Sequence, residues 1–392
     1  MFAVAIAVLA LAYILSHFYR SFLAVLAPQL EADLGIGPAE LSDAVGAWFL
    51  AFGLAQFLVG TMLDRIGPRI TSAALFLFGG AGGALWLSTA ASKDEFYWAM
   101  VLLGAGCAPI LMASLYLFKR TQPPARFALL ASWFIGVGLL GNLLGSAPLA
   151  YAAQAYSWRA ILVGLAGLTA LLAVGIYLVV RDPPPAEGGG QGSYLELLKM
   201  PALWPIIPLA ATLYAVPGGL RGAWIGPYLK DVTGLDPIAL GNATFAMALA
   251  LTIGSFVYGP LDRWLGTRKW IVVGGNLAVV ACVALLAAIG GTAVTDVVLF
   301  TLIGFTGLGY AVLLAHGTAN VPDRLAGRGV TLLNFFNIGG VGVFNAVTSR
   351  VYEGSGGGAT GYHAVFWTYA IVLGAALAIY VVFSRDVPPD RT

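Results

Sequence analysis

Two arginines, Arg20 and Arg221, stand inside long apolar runs of this chain. A charged side chain in the middle of a membrane span costs roughly 2.5–3.5 kcal/mol on insertion scales, so it usually lines a cavity and has a partner. Tyr13, His17 and Arg20 follow the spacing i, i+4, i+7, which places them on one face of a continuous helix. Tyr214 and Arg221 repeat the same Tyr-to-Arg interval, and Trp224 and Tyr228 extend that face. All 18 acidic residues can be assigned to span ends, loops or the tail. Neither arginine therefore has a fixed mid-span carboxylate, and a visiting anion would supply the missing charge. The planar fork of a guanidinium suits a carboxylate, nitrate or phosphate. The competing reading is snorkelling: Arg20 is seven residues from Ala27, about 10 Å of helix rise, and a long side chain can reach towards water.

Other polar residues inside apolar runs are fewer. His316 lies near the inner end of its run, as a cavity residue or as a cap on the helix C-terminus. Asn334 and Asn337 share a face at i, i+3, and either line a cavity or hydrogen-bond between helices. The cysteines, Cys107 and Cys282, sit in apolar runs and read as small hydrophobes. Neither they nor the three histidines form a metal-ligand spacing. With no ATP-binding loop, no redox-cofactor motif and no clustered catalytic set, the sequence predicts no metal, no cofactor and no enzyme activity.

The elements that must position these residues are membrane helices. Of the 392 residues, 59% are hydrophobic and 10% charged, against about 25% charged in soluble proteins. A bilayer is the natural solvent for such a chain. The run from Phe2 to Ala27 exceeds the 7–15 residues of a signal-peptide core and no basic residue precedes it, so it reads as a first span. Twelve spans are expected: 3–27, 40–60, 70–91, 96–118, 127–149 and 159–180, then 203–229, 238–259, 270–289, 296–318, 329–351 and 363–384. A Pro- and Gly-rich stretch, 182–201, divides them six and six. The expected domains are thus 1–181, the linker 182–201, and 202–392.

The two halves repeat. Pro28, Gly35, Pro38, Leu41, Gly60, Gly67 and Arg69 recur 199 positions later as Pro227, Gly234, Pro237, Leu240, Gly259, Gly266 and Arg268. Parallel repeats of six helices are a transporter architecture. Of the 20 basic residues, fourteen fall in the even set of loops and the tail, four on the opposite side and two within spans. The positive-inside rule then puts both termini in the cytoplasm of a cell whose plasma membrane, a bacterial inner membrane, holds the chain. A net charge of +2 and the lack of a basic arm give no reason to expect nucleic acid as a partner. The expected partners are the bilayer and a small anionic substrate, and the expected state is a monomer.

The second span is followed by Gly60-Thr-Met-Leu-Asp64-Arg65-Ile-Gly67-Pro-Arg69, and the eighth by Gly259-Pro-Leu-Asp262-Arg263-Trp-Leu-Gly266-Thr-Arg268. Both resemble the G-x-x-x-D-R-x-G-x-R loop signature of the major facilitator superfamily, the second with one extra residue between Asp262 and Gly266. The resemblance implies an all-α membrane protein of twelve helices in two pseudo-symmetric bundles. It also implies a cytoplasmic latch in which Asp64, Arg65, Arg69, Asp262, Arg263 and Arg268 hold one side shut in one of two states. Solvated loop charges are the plainer alternative. The seventh span, from Tyr214 through Arg221, Trp224 and Tyr228, is similar to the organophosphate:phosphate antiporter branch. In that branch an arginine from the first helix and one from the seventh grip the phosphate. Ser21 stands after Arg20 where the branch commonly has lysine, which leaves carboxylates and nitrate open beside phosphate. The resemblance thus implies a secondary transporter of a small anion working by alternating access. The alternatives are drug or metabolite efflux, for which an acidic cavity residue is expected, and a non-transporting receptor on the same scaffold.

Overall fold

The computed structural model describes residues 2–183, 194–307, 309–319, 321–322 and 325–387; several further side chains, including those of Asp64, Asp262 and Arg263, lie outside the description. Every regular element among the described residues is helical. Ten helices are long and apolar enough to cross a membrane, and twelve spans result when each of two bent pairs counts once. All the expected spans have a counterpart, in order. The bent pairs are the first span, Ala3–Phe18 with Leu23–Leu34 at 53°, and the fifth, Trp133–Leu144 with Ala147–Ala155 at 40°. The remaining spans are Pro38–Leu63, Pro68–Thr89, Lys93–Thr121, Trp158–Val179, Pro201–Asp231, Pro237–Tyr258, Lys269–Ile289, Ala293–Thr318, Arg328–Gly354 and Gly358–Phe383. Large apolar side chains remain bare on their outer faces, Phe78 at 73% and Val294 at 78% exposure. On a span this is the surface that hydrocarbon covers.

The chain forms two compact units, Met1–Gly188 and Gly189–Thr392. Within the first, the second span packs on the fourth, and the first span on the fifth and sixth. Within the second, the eighth span packs on the tenth, and the seventh on the eleventh and twelfth. The sequence repeat is thus a repeat of packing. It is also a repeat of backbone conformation. Gly35 and Gly234 have φ of 64° and 68°, and Gly67 and Gly266 have 92° and 65°. These are left-handed values that side chains with a Cβ resist, which explains why glycine stands at both members of each pair.

Capping contacts close each unit on itself in matching ways. After the sixth span, Asp182 Oδ1 accepts from the Arg69 N–H at 2.8 Å, at the start of the third span, while Arg69 Nε donates to the Tyr177 carbonyl at 2.7 Å. After the twelfth span, Asp386 Oδ1 accepts from the N–H groups of Arg268 at 3.2 Å and Lys269 at 3.0 Å, at the start of the ninth. A carboxylate there satisfies orphan donors and complements the positive helix end. At the opposite end, Trp158 Nε1 donates to Asp33 Oδ2 at 2.7 Å, and the Tyr362 hydroxyl to Asp231 Oδ2 at 2.6 Å. These long-range caps fix where the first and seventh spans end, and hence where their arginines lie.

Candidate functional site

Arg20 sits in the break of the first span. Residues 19–22 form turns between Phe18 and Leu23, and the hydroxyl of Tyr19 pairs with Thr169 Oγ1 at 3.0 Å. The guanidinium carbon of Arg20 lies 4.8 Å from the Phe52 ring centroid and 5.7 Å from that of Trp48, both on the second span. Arg20 is 7% exposed, and its Nε is buried without a hydrogen-bond partner. No carboxylate among the described residues pairs with it, so Arg20 is held by aromatic faces. A desolvated cation–π contact contributes about 2 kcal/mol. This geometry argues against snorkelling, because the head of Arg20 is packed inside the unit.

The break corrects one expectation. Tyr13, His17 and Arg20 do not present one common face, because the helix does not continue from His17 to Arg20. Tyr13 stacks on Phe134 at 5.1 Å, and His17 stands edge-on to Tyr13 at 4.7 Å. Both are turned to the fifth span, where Gly138 leaves room for their rings and Gly141 lets the backbones approach; Arg20 turns to the second.

Arg221, 2% exposed, lies in a π-helical turn, Leu220–Trp224. Such turns are rare and frequent at functional sites. The extra residue of a π-turn also rotates the chain beyond it, so Tyr214, Arg221, Trp224 and Tyr228 do not continue one simple face. Arg20 precedes Pro28 by eight residues, whereas Arg221 precedes Pro227 by six. The two arginines therefore occupy the same span of each repeat but not the same register, and each sits where the α-helix is interrupted.

Other candidates are engaged elsewhere. Trp224 Nε1 donates to Thr348 Oγ1 at 3.2 Å. The Tyr228 hydroxyl donates to Asp296 Oδ2 at 2.8 Å, within a cluster that includes Phe300, Tyr362 and Phe366. Asp296 is fully buried at the start of the tenth span and also accepts from the Gly291 N–H at 3.0 Å. It lies at a span end, in keeping with the placement of the acidic residues at span ends, loops or the tail, but it is buried there rather than solvated. His316 ties the tenth span to the end of the twelfth. Its Nε2 donates to the Arg385 carbonyl at 2.8 Å, since a carbonyl only accepts, and its Nδ1 pairs with the Tyr380 hydroxyl at 2.5 Å. It borders a cavity of about 410 Å³ with Pro201, Ile206 and Arg385, all in the second unit. Asn334 Oδ1 accepts from the Tyr310 hydroxyl at 3.3 Å. Asn337 and Tyr214 are buried, at 4% and 8% exposure.

Of the latch residues, Arg69 and Arg268 are bound to the span ends of their own units, and Arg65 is exposed. The expected latch roles of Asp64, Asp262 and Arg263 fall on side chains outside the described residues. Sequence reasoning missed Trp48 and Phe52, which hold Arg20, and the caps Asp182 and Asp386. The matching Arg-Asp endings of the sixth and twelfth spans were the available signal for the caps.

The profile of the Major Facilitator Superfamily matches residues 9–342 and, in a second match, 220–392. The chain belongs to the Major Facilitator Superfamily. It is a multi-pass membrane transporter and not an enzyme. The probable L-galactonate transporter of Escherichia coli (strain K12) is 24% identical over 332 residues, covering 75% of this chain and 69% of its own. The glycerol-3-phosphate transporter of Bacillus subtilis (strain 168) is 22% identical over 374 residues, covering 86% and 83%. Among solved structures, a bacterial homologue of the human lysosomal transporter Spinster, inward-facing and occupied, superimposes with a TM-score of 0.76. It is 19% identical, with 96% of this chain and 95% of that one covered.

Proposed function

We propose that this member of the superfamily is a secondary transporter of a small organic or inorganic anion, a carboxylate, organophosphate or nitrate, and that Arg20 and Arg221 are its principal anion-binding cations. One observation carries the reading: Arg20 is a buried guanidinium with aromatic neighbours and no carboxylate bound to it among the described residues. Low local dielectric strengthens whatever anion reaches such a group. The π-helical setting of Arg221 and the anionic substrates named in both relatives support the same class. Drug efflux has no comparable observation behind it. The excess of Lys and Arg in the even loops supports a bacterial inner-membrane location with both termini cytoplasmic, and nothing in the reading requires more than a monomer.

A thermal-shift screen of the purified protein tests the class, because a ligand that binds the folded state raises the melting temperature. Carboxylates, sugar phosphates and nitrate should include at least one stabiliser. Stabilisation by neutral or cationic compounds alone would replace the anion with another substrate class.

A further inference from the structure

We infer that the indole N–H of Trp48 is a second donor to the oxyanion group that Arg20 binds. The inference rests on the reading of Arg20 as an anion-binding residue. Trp48 lies on the second span and is 1% exposed, and its Nε1 is buried with no acceptor. The Nε of Arg20 is in the same condition. Both side chains line one enclosed space whose other walls, Leu23, Val45, Phe49 and Met100, are apolar. Tyr19 also borders it, but its hydroxyl is already paired with Thr169.

A buried N–H without an acceptor is rare in proteins and unfavourable at membrane depth, where water does not substitute. Here two of them belong to neighbouring groups. Phe52 stacks on Trp48 with centroids 5.1 Å apart, and the guanidinium of Arg20 lies over both rings. The ring faces balance part of the cationic charge. They do nothing for the N–H edges, which donate in the ring and guanidinium planes. An oxyanion resolves both deficits, since its oxygens accept from the Arg20 fork and from the indole. A cation would be repelled, and a neutral apolar ligand would leave both donors orphaned. The space is too narrow for a water molecule in this conformation, so entry of the group requires a wall to yield. Met100, unbranched and adaptable, is the wall best suited to do so. Carboxylate and phosphate heads share the required chemistry.

The experiment is calorimetric titration of full-length protein with glycerol 3-phosphate, galactonate, inorganic phosphate and nitrate, so that its arms separate phosphate from carboxylate. Trp48→Phe keeps a ring beneath Arg20 and removes only the indole donor. Trp48→Met, which also carries no donor, serves as a second variant should the first fold poorly. Both should bind the wild-type ligand roughly ten- to a hundred-fold more weakly, the loss expected for a hydrogen bond to a charged group. The melting temperature of each anion-free variant serves as the folding check, since shortening a buried tryptophan also removes packing. Undiminished binding in both variants, with binding lost in Arg20→Lys, overturns the inference and leaves the reading of Arg20 standing. Undiminished binding in Arg20→Lys, or no binding of any of the four anions by wild type, overturns both.

Discussion

A methyl group at Gly141 would land on the main chain of the first span. The Cβ of an alanine there overlaps the carbonyl oxygen of Ile14 and comes within 2.7 Å of the Phe18 nitrogen and 2.8 Å of His17 Cβ. Carbon atoms settle at about 3.5–4.0 Å, and main-chain atoms cannot rotate aside. The first and fifth spans must therefore separate by several tenths of an ångström to about 1 Å. Overpacking of this kind costs about 1–3 kcal/mol, while alanine for glycine in a helix returns about 0.5–1 kcal/mol. The net expectation for Gly141→Ala is a loss of about 1–2 kcal/mol. Gly167→Ala on the sixth span is the internal control, because a Cβ there meets nothing within 4 Å; it should be neutral or slightly stabilising. Thermal unfolding of the two purified variants beside wild type is the assay. If Gly141→Ala melts with wild type, or Gly167→Ala loses as much as it does, the first span does not pack closely on the fifth at this glycine. The shifted segment leads directly into the break that holds Arg20, so the variant also perturbs the proposed site.

Further expectations concern caps, cores and topology. Burial pushes the Asp386 carboxyl up, but hydrogen bonds from the Thr267 hydroxyl and the Lys269 and Arg268 N–H groups outweigh it and hold it below the usual carboxylate range. A lowered pKa gives stability that is present above the unfolded value of about 3.9 and lost as pH falls through the folded one. Asp386→Asn should accordingly melt below wild type at neutral pH, with the gap closing under acid; a gap that persists unchanged at pH 3 would contradict the cap. Tyr228→Phe strips the buried Asp296 of one of its two donors, so stability should fall while anion affinity holds, and the reverse pattern would make Tyr228 a substrate residue. Reporter fusions at Gly190 and Thr392 should both be cytoplasmic, and periplasmic activity at either would reject the orientation drawn from the basic residues.

Much of the fold is legible in the sequence because its causes are local or additive. Runs of apolar residues report spans by length alone, and the glycine pairs Gly35/Gly234 and Gly67/Gly266 report a repeated backbone conformation that few other residues accept. The break at residues 19–22 has no such signal: Tyr19, Arg20, Ser21 and Phe22 include neither proline nor glycine. It is sustained by tertiary contacts, the Tyr19–Thr169 pair and the aromatic shelf under Arg20. The π-turn around Arg221 is equally silent, and it changes by rotation which residues share a face. Helical spacing therefore grouped each arginine with neighbours that the break at residues 19–22 and the π-turn at 220–224 turn away from it. The caps by Asp182 and Asp386 join residues more than a hundred positions apart, 113 for Asp182 and Arg69, a separation at which only the repeat itself offered a hint. Trp48 and Phe52 looked like ordinary core aromatics. Only the placement of Arg20 over their rings gives them a part in the proposed site.

The central claim is that Arg20 and Arg221 bind the transported anion, and binding to conservative variants tests it most directly. Arg20→Lys and Arg221→Lys keep the charge and lose the planar fork. A hydrogen bond to a charged group contributes about 1.5–3 kcal/mol, or roughly ten- to a hundred-fold in affinity. The measurement is titration calorimetry of each purified, folded variant with the anion that most stabilises the wild-type protein. Each lysine variant should bind that anion at least about tenfold more weakly, with its unliganded melting temperature close to wild type. Wild-type affinity in both would make the arginines structural, and the anion would have to be held by other residues.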